Sequence, residues 1–138
     1  MIYSYNTNTQ AVAANEDIVY TIDAVKTGCT VTHAPGTSVF TLAKPGYYYV
    51  TVVVTGAATA AGTDPMTIAL YNGISPIAGA TASVLSTDNT DINTLTINLI
   101  IPVRPSCCMI DNTVSLVVKN TGVDATYSNA TISITKIA

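Results

Sequence analysis

Any catalytic or metal chemistry in this 138-residue chain would have to be built from one histidine, three cysteines and eight carboxylates. Nucleophilic catalysis needs a nucleophile, a base and a group that orients the base. His33 is the only imidazole, and Cys29 stands four residues before it. In a strand the two would share a face but lie about 13 Å apart, too far to hydrogen-bond. The expectation is a loop-edge histidine ahead of Ala34-Pro35-Gly36, no catalytic residues and no enzyme. A glycosidase sets two carboxylates across a cleft. Here Asp88, Asp91, Asp111 and Asp124 fall in turn-type sequence, where Asp bonds nearby backbone. No phosphate-cradling Gly loop, dinucleotide fingerprint or HExxH pair occurs.

Residues 88–93, Asp-Asn-Thr-Asp-Ile-Asn, group hard oxygen ligands. Asp88, Asp91 and Asn93 form a candidate calcium set. EF-hand spacing and a closing Glu are missing, so a solvated loop is the competing reading and no cofactor is expected. Cys29 stands alone and Cys107-Cys108 are adjacent. Two readings stay open: free thiols acting as small hydrophobes, or a disulfide from Cys29 to Cys107 or Cys108. Without a CxxC pair a structural zinc site has no support.

The elements that must carry these residues are strands. Charged residues make up 9% of the chain, against about 25% in an average soluble domain. Threonine (23), asparagine (10) and tyrosine (8) take their place. Thr and Tyr suit a pleated surface and Asn suits turns, so the composition reads as all-β. The net charge is −3, and Lys26, Lys44, Arg104, Lys119 and Lys136 are scattered along the chain. No basic stripe is present to displace counterions from a phosphate backbone, and no polybasic cluster marks a lipid surface. Neither nucleic acid nor membrane is an expected partner. The apolar runs fall far short of the roughly 20 residues of a spanning helix. The first residues lack the basic and apolar regions of a signal peptide, which fits a product made in a host cytoplasm.

Short β-type runs recur at about ten-residue spacing, each closed by a turn signal, as in sandwiches and barrels. They cover residues 18–22, 29–32, 39–42, 47–55, 66–71, 95–101, 114–118 and 130–137. Asn72-Gly73 after the 66–71 run is a hairpin signal. In 95–101 the residues Leu95, Ile97, Leu99 and Ile101 share one face, while Thr94, Thr96 and Asn98 share a wet one. The 47–55 run differs. Tyr48, Val50, Val52 and Val54 form one face, yet Tyr47, Tyr49 and Val53 crowd the other. Apolar residues on both faces imply that both are covered, and a sandwich this small has only a second copy to cover the outer one. Tyr47, Tyr48, Tyr49 and Tyr71 could instead stack on sugar rings; strand spacing favours the core or interface role. Residues 1–16 read as an N-terminal arm able to pair with another protein or to remain a loose terminus. Residues 17–138 read as a single domain.

Residues 40–50, Phe-Thr-Leu-Ala-Lys-Pro-Gly-Tyr-Tyr-Tyr-Val, resemble a signature of the C1q/tumour-necrosis-factor jelly-roll superfamily. That signature is Phe-x-aliphatic, a Pro-Gly turn, then Gly-x-Tyr-x-(Phe/Val). Phe40, Leu42, Gly46, Tyr48 and Val50 fill its positions, with Val50 where an aromatic is usual. Asp111 keeps only half of the family's Gly-Asp before the 114–118 run. The resemblance covers roughly residues 17 to 138. It implies an antiparallel β-sandwich, a ten-strand jelly roll that assembles as a homotrimer. Relatives of this appearance include bacteriophage head-fibre and decoration proteins and the heads of collagen-like spore-surface proteins.

The expectation is a non-enzymatic, trimeric bacteriophage head-fibre or capsid-decoration protein on the virion surface. Tyr47, Tyr49 and Val53 would form the trimer interface, with the arm docked on the major capsid protein or another virion protein. The alternative is a glycan- or receptor-binding adhesive head of a tail fibre or of a bacterial or spore surface, with a cell-surface glycan as partner.

Overall fold

Strict alternation from residue 46 onward makes the longest strand and sets the frame. In the computed structural model, which describes residues 1–105 and 113–138, eleven strands form among the described residues. They are β1 (Ile2–Asn6), β2 (Gln10–Val12), β3 (Ile22–Lys26), β4 (Val31–His33), β5 (Val39–Leu42), β6 (Gly46–Ala58), β7 (Met66–Asn72), β8 (Ser75–Val84), β9 (Asn93–Val103), β10 (Val114–Asn120) and β11 (Ala125–Lys136). Two antiparallel sheets result. One has the order β3-β1-β11-β6-β9, with β2 also pairing β11, and the other β4-β5-β10-β7-β8. Cys107, Cys108 and Asp111 lie outside the described residues, and with them the question of a disulfide.

The core is what the alternation demands. Tyr48, Val50, Val52 and Val54 of β6 join Ile132 and Ile134 of β11 on the inner face of the first sheet, all fully buried. Phe40, Leu42, Ile68, Leu70, Leu116 and Val118 meet them from the second sheet. Phe40, Tyr48 and Val50 of the signature are therefore core residues. The Tyr48 hydroxyl donates to the Lys44 carbonyl at 2.7 Å and so clamps the β5–β6 turn. Gly46 sits at φ 143°, where a Cβ would collide with the Ala138 carbonyl and the Lys136 side chain. Only glycine fits that position without strain.

Three expectations are corrected, and β8, at the edge of the second sheet, is an addition to the runs read from the sequence. Its Pro76, Gly79 and small residues give no alternation to read. Residues 18–21 are not a strand, and Ile22 instead begins β3. Ile18 N donates to Val118 O of one sheet and Thr21 N to Tyr5 O of the other, so this segment crosses between the layers and cannot hold a ladder. The 29–32 run becomes β4, shifted to Val31–His33. Residues 1–16 are not a separate arm: β1 lies between β3 and β11, with Ile2, Ser4 and Asn6 buried. The buried Asn120 amide donates to Val12 O at 2.9 Å and to Val123 O at 2.8 Å, which fastens β2 as well. Each buried amide bond of this kind contributes about 1 kcal/mol.

Candidate functional site

The outward face of the β3-β1-β11-β6-β9 sheet carries the chain's least ordinary surface. Register places Tyr5, Thr131, Val53 and Thr96 in one row across four strands. The next row is Tyr3, Ser133, Thr51 and Asn98, followed by Thr135, Tyr49 and Ile100, and then Tyr47 beside Pro102. Two apolar ends therefore flank a band of hydroxyls. Tyr3 and Tyr5 stand at one end with ring centroids 6.1 Å apart. Tyr47, Tyr49 and Ile100 stand at the other, 54%, 44% and 55% exposed. Tyr47, Tyr49 and Val53 thus share one face, and the described chain leaves about half of each tyrosine open. Covering by a second layer is not met inside one protomer.

Three contributors to this face escaped the sequence reading. Ile-Tyr-Ser-Tyr-Asn at residues 2–6 alternates as cleanly as β6 and would have revealed Tyr3 and Tyr5. Ile100 is an apolar residue in the wet phase of β9, and that mismatch was its signal. The four-tyrosine sugar surface is corrected by geometry. Tyr48 is core, Tyr47 and Tyr49 face outward on the first sheet, and Tyr71 lies on the second, with Lys119 Nζ 5.7 Å from its ring centroid.

His33 closes β4 at the edge of the turn that follows, but it is buried. Its side chain has no exposed surface, and its ring stacks on Phe40 at 4.0 Å between centroids, 7° from parallel. Nδ1 meets Asp23 Oδ1 at 2.6 Å, and Nε2 donates to the Thr37 carbonyl at 3.0 Å. Ser4 Oγ donates to the same Asp23 oxygen at 2.6 Å. The three residue types of a serine-hydrolase triad meet here in the wrong order. Catalysis needs the imidazole between hydroxyl and carboxylate, whereas here the carboxylate lies between hydroxyl and imidazole and Nε2 faces a carbonyl. A shallow hollow lined by Thr32, His33, Ala34, Thr37, Val39 and Thr41 runs alongside, but the His33 side chain contributes no exposed surface to it, and neither a Ser, a Cys nor a carboxylate lines it. The cluster joins β3 and β1 of one sheet to β4 of the other, so it seams the sandwich edge.

The candidate calcium residues serve their own loop. Asp88 Oδ1 accepts from Thr90 N at 2.8 Å and Thr90 Oγ1 at 2.6 Å. These bonds, the side-chain one foremost, hold the Asp88 carboxyl below the usual carboxylate range. Asp91 Oδ2 accepts from Thr87 N at 2.9 Å, and Asn93 turns its amide nitrogen, not its oxygen, to the Asp91 carbonyl. Buried Ser86 accepts from Ala58 N at 3.1 Å and donates to the Asp88 and Asp91 carbonyls, closing the loop. Among the described residues no group of three or more His, Cys, Asp or Glu is placed to hold a metal ion. Cys29 is exposed. Among the same residues no helix is long and apolar enough to cross a membrane.

The chain matches no family model and no curated protein. Solved structures do resemble it. PRD1 vertex protein P5 matches at TM-score 0.62 and 18% identity, covering 99% of this chain and 96% of that one. Eiger TNF from S. frugiperda matches at TM-score 0.66 and 17% identity, covering 99% and 92%. Murine APRIL matches at TM-score 0.55 and 6% identity, covering 99% and 98%. At such identities the likeness establishes the fold: a TNF-like jelly roll, as the signature around Gly46 implied.

Proposed function

We propose that the protein is a non-enzymatic structural component of a bacteriophage virion surface, a homotrimeric capsid-decoration or head-fibre protein. The observation that carries this reading is the open tyrosine face of the first sheet. A monomer that stays single has no use for aromatic rings standing beyond a wall of threonine. A closed ring of copies does: the Tyr47/Tyr49/Ile100 end of one chain covers part of the next chain's face, and the third contact closes on the first. Val53 and the Tyr3/Tyr5 pair lie on the same face and join the buried surface. Aromatic residues are enriched at such interface cores. The fold shared with PRD1 vertex protein P5 supports a virion setting. The buried order of Ser4, Asp23 and His33 supports a scaffold in place of an enzyme.

Sedimentation equilibrium on the purified chain at micromolar concentration tests the assembly, and a particle of three 14.3 kDa chains is expected. A monomer across that range would remove the reading's physical basis. Mass spectrometry of virions purified from the source, with and without surface proteolysis, tests the location. Absence of the chain from intact particles would refute it.

A further inference from the structure

Basic residues that are scattered in the sequence are gathered by the fold. Register sets Gly46 opposite Val103, Tyr48 opposite Lys136, Ile2 opposite Lys26 and Leu42 opposite Val114. The start of β6 and the ends of β3, β5, β9 and β11 therefore share one pole. Lys26, Lys44, Arg104 and Lys136 all lie there, and no described Asp or Glu does. The opposite pole collects residues 13–17, 59–65, 85–92 and 121–124. It holds Glu16, Asp17, Asp64, Asp88, Asp91 and Asp124, against one cation, Lys119, which is spent on Asp17 at 2.8 Å. Asp23 lies between the poles, bound to His33. Lys26 is partly engaged, 3.8 Å from Asp23 and donating to His33 O. Lys44, Arg104 and Lys136 make no ion pair among the described residues.

The separation makes the poles independent. At about 3.3 Å per residue, the 13 residues of β6 span about 40 Å. The Debye length at physiological salt is about 8 Å, so a partner at one pole does not feel the other, and the net charge of −3 describes neither. The basic pole also bares apolar side chains. Ile74 at the tip of the β7–β8 hairpin is 95% exposed, and Ile137 lies at the same end with about half its surface open.

We infer that this pole is an end-on docking surface for an acidic protein. The same partner is repelled where it meets the acidic pole, so docking is confined to the basic one. A polyphosphate or sulfated polymer would leave Ile74 and Ile137 wet; an acidic polypeptide surface with apolar groups buries them. The inference adds an attachment surface to the virion reading and does not rest on it, because both poles belong to the single chain.

Immobilised poly(Glu,Tyr) is the probe, beside poly-Glu, heparin and anionic phospholipid vesicles. The chain is expected to bind the copolymer at about 50 mM salt and to lose it by about 300 mM. Lys44→Glu/Arg104→Glu should weaken that binding about tenfold or more, and Glu16→Gln/Asp64→Asn should leave it unchanged. Ile74→Ser should weaken binding to poly(Glu,Tyr) but not to poly-Glu. No binding, equal loss from the acidic-pole variant, or tighter binding to heparin or vesicles would overturn the inference. So would salt-sensitive stacking of the chain on itself in place of copolymer binding. Sedimentation of each variant separates the two readings: trimers that fail to bind refute this inference alone, and monomers that bind refute the assembly alone.

Discussion

Replacing Tyr47 and Tyr49 together by threonine tests the reading of the open sheet face most directly. The rings are 54% and 44% exposed in the single chain. A tyrosine buries about 150–250 Å² when fully covered, so each has about 100 Å² left to give to a neighbour. At about 25 cal/mol per Å², that is about 2.5 kcal/mol per ring and about 5 kcal/mol per contact. Threonine keeps part of the contact, which leaves a loss of about 3 kcal/mol, or roughly a hundredfold in each association constant. The protomer should stay folded, because both side chains point away from the core and threonine is itself a good strand former. Sedimentation velocity between about 0.1 and 10 µM, with circular dichroism to confirm the fold, reads the outcome. Wild type should sediment as a trimer throughout, and the variant should fall to monomer as it is diluted. A variant that stays trimeric at the lowest concentration would show that another surface holds the subunits.

Two further outcomes concern the protomer. Asp23→Ala strands a fully buried imidazole and the Ser4 hydroxyl. It should cost about 3 kcal/mol, seen as a lower urea midpoint at unchanged slope, whereas Asp23→Leu/His33→Leu should cost less. A loss below about 1 kcal/mol from the single variant would mean that the seam does not hold the edge. The second concerns pH. Burial raises Tyr20 far above its ordinary value, Tyr127 up to about 12, and Tyr48 above the usual phenol range. The unfolded chain gives up these protons near pH 10, while the native state still holds them. Stability is therefore full below about pH 10 and falls as pH climbs toward 12. Absorbance at 295 nm should show the three ionising late, together with unfolding. All eight tyrosines ionising near pH 10 in a still-folded chain would contradict it.

Period-2 alternation is a local property, and it alone determined much of this protein. It yielded the two faces of β6 and the wet and dry faces of β9, while composition gave the all-β class and the Pro45-Gly46 motif carried the family resemblance. β8 stayed hidden because Pro76, Gly79 and its small residues carry no alternation, and its place is fixed by pairing with β7. The arm was misread although Ile2–Asn6 alternates, because its pairing partners β11 and β3 lie elsewhere in the chain. His33 shows the same limit. Asp23 lies ten residues away and Ser4 twenty-nine, and only packing of one sheet edge on the other turns a loop-edge histidine into a buried tie. Charge shows it most plainly. Spacing along the chain scatters four of the five basic residues, but antiparallel pairing folds every second turn back to the same end. Tertiary structure thus decided the molecule's electrical polarity, because register, and not sequence distance, sets which turns meet.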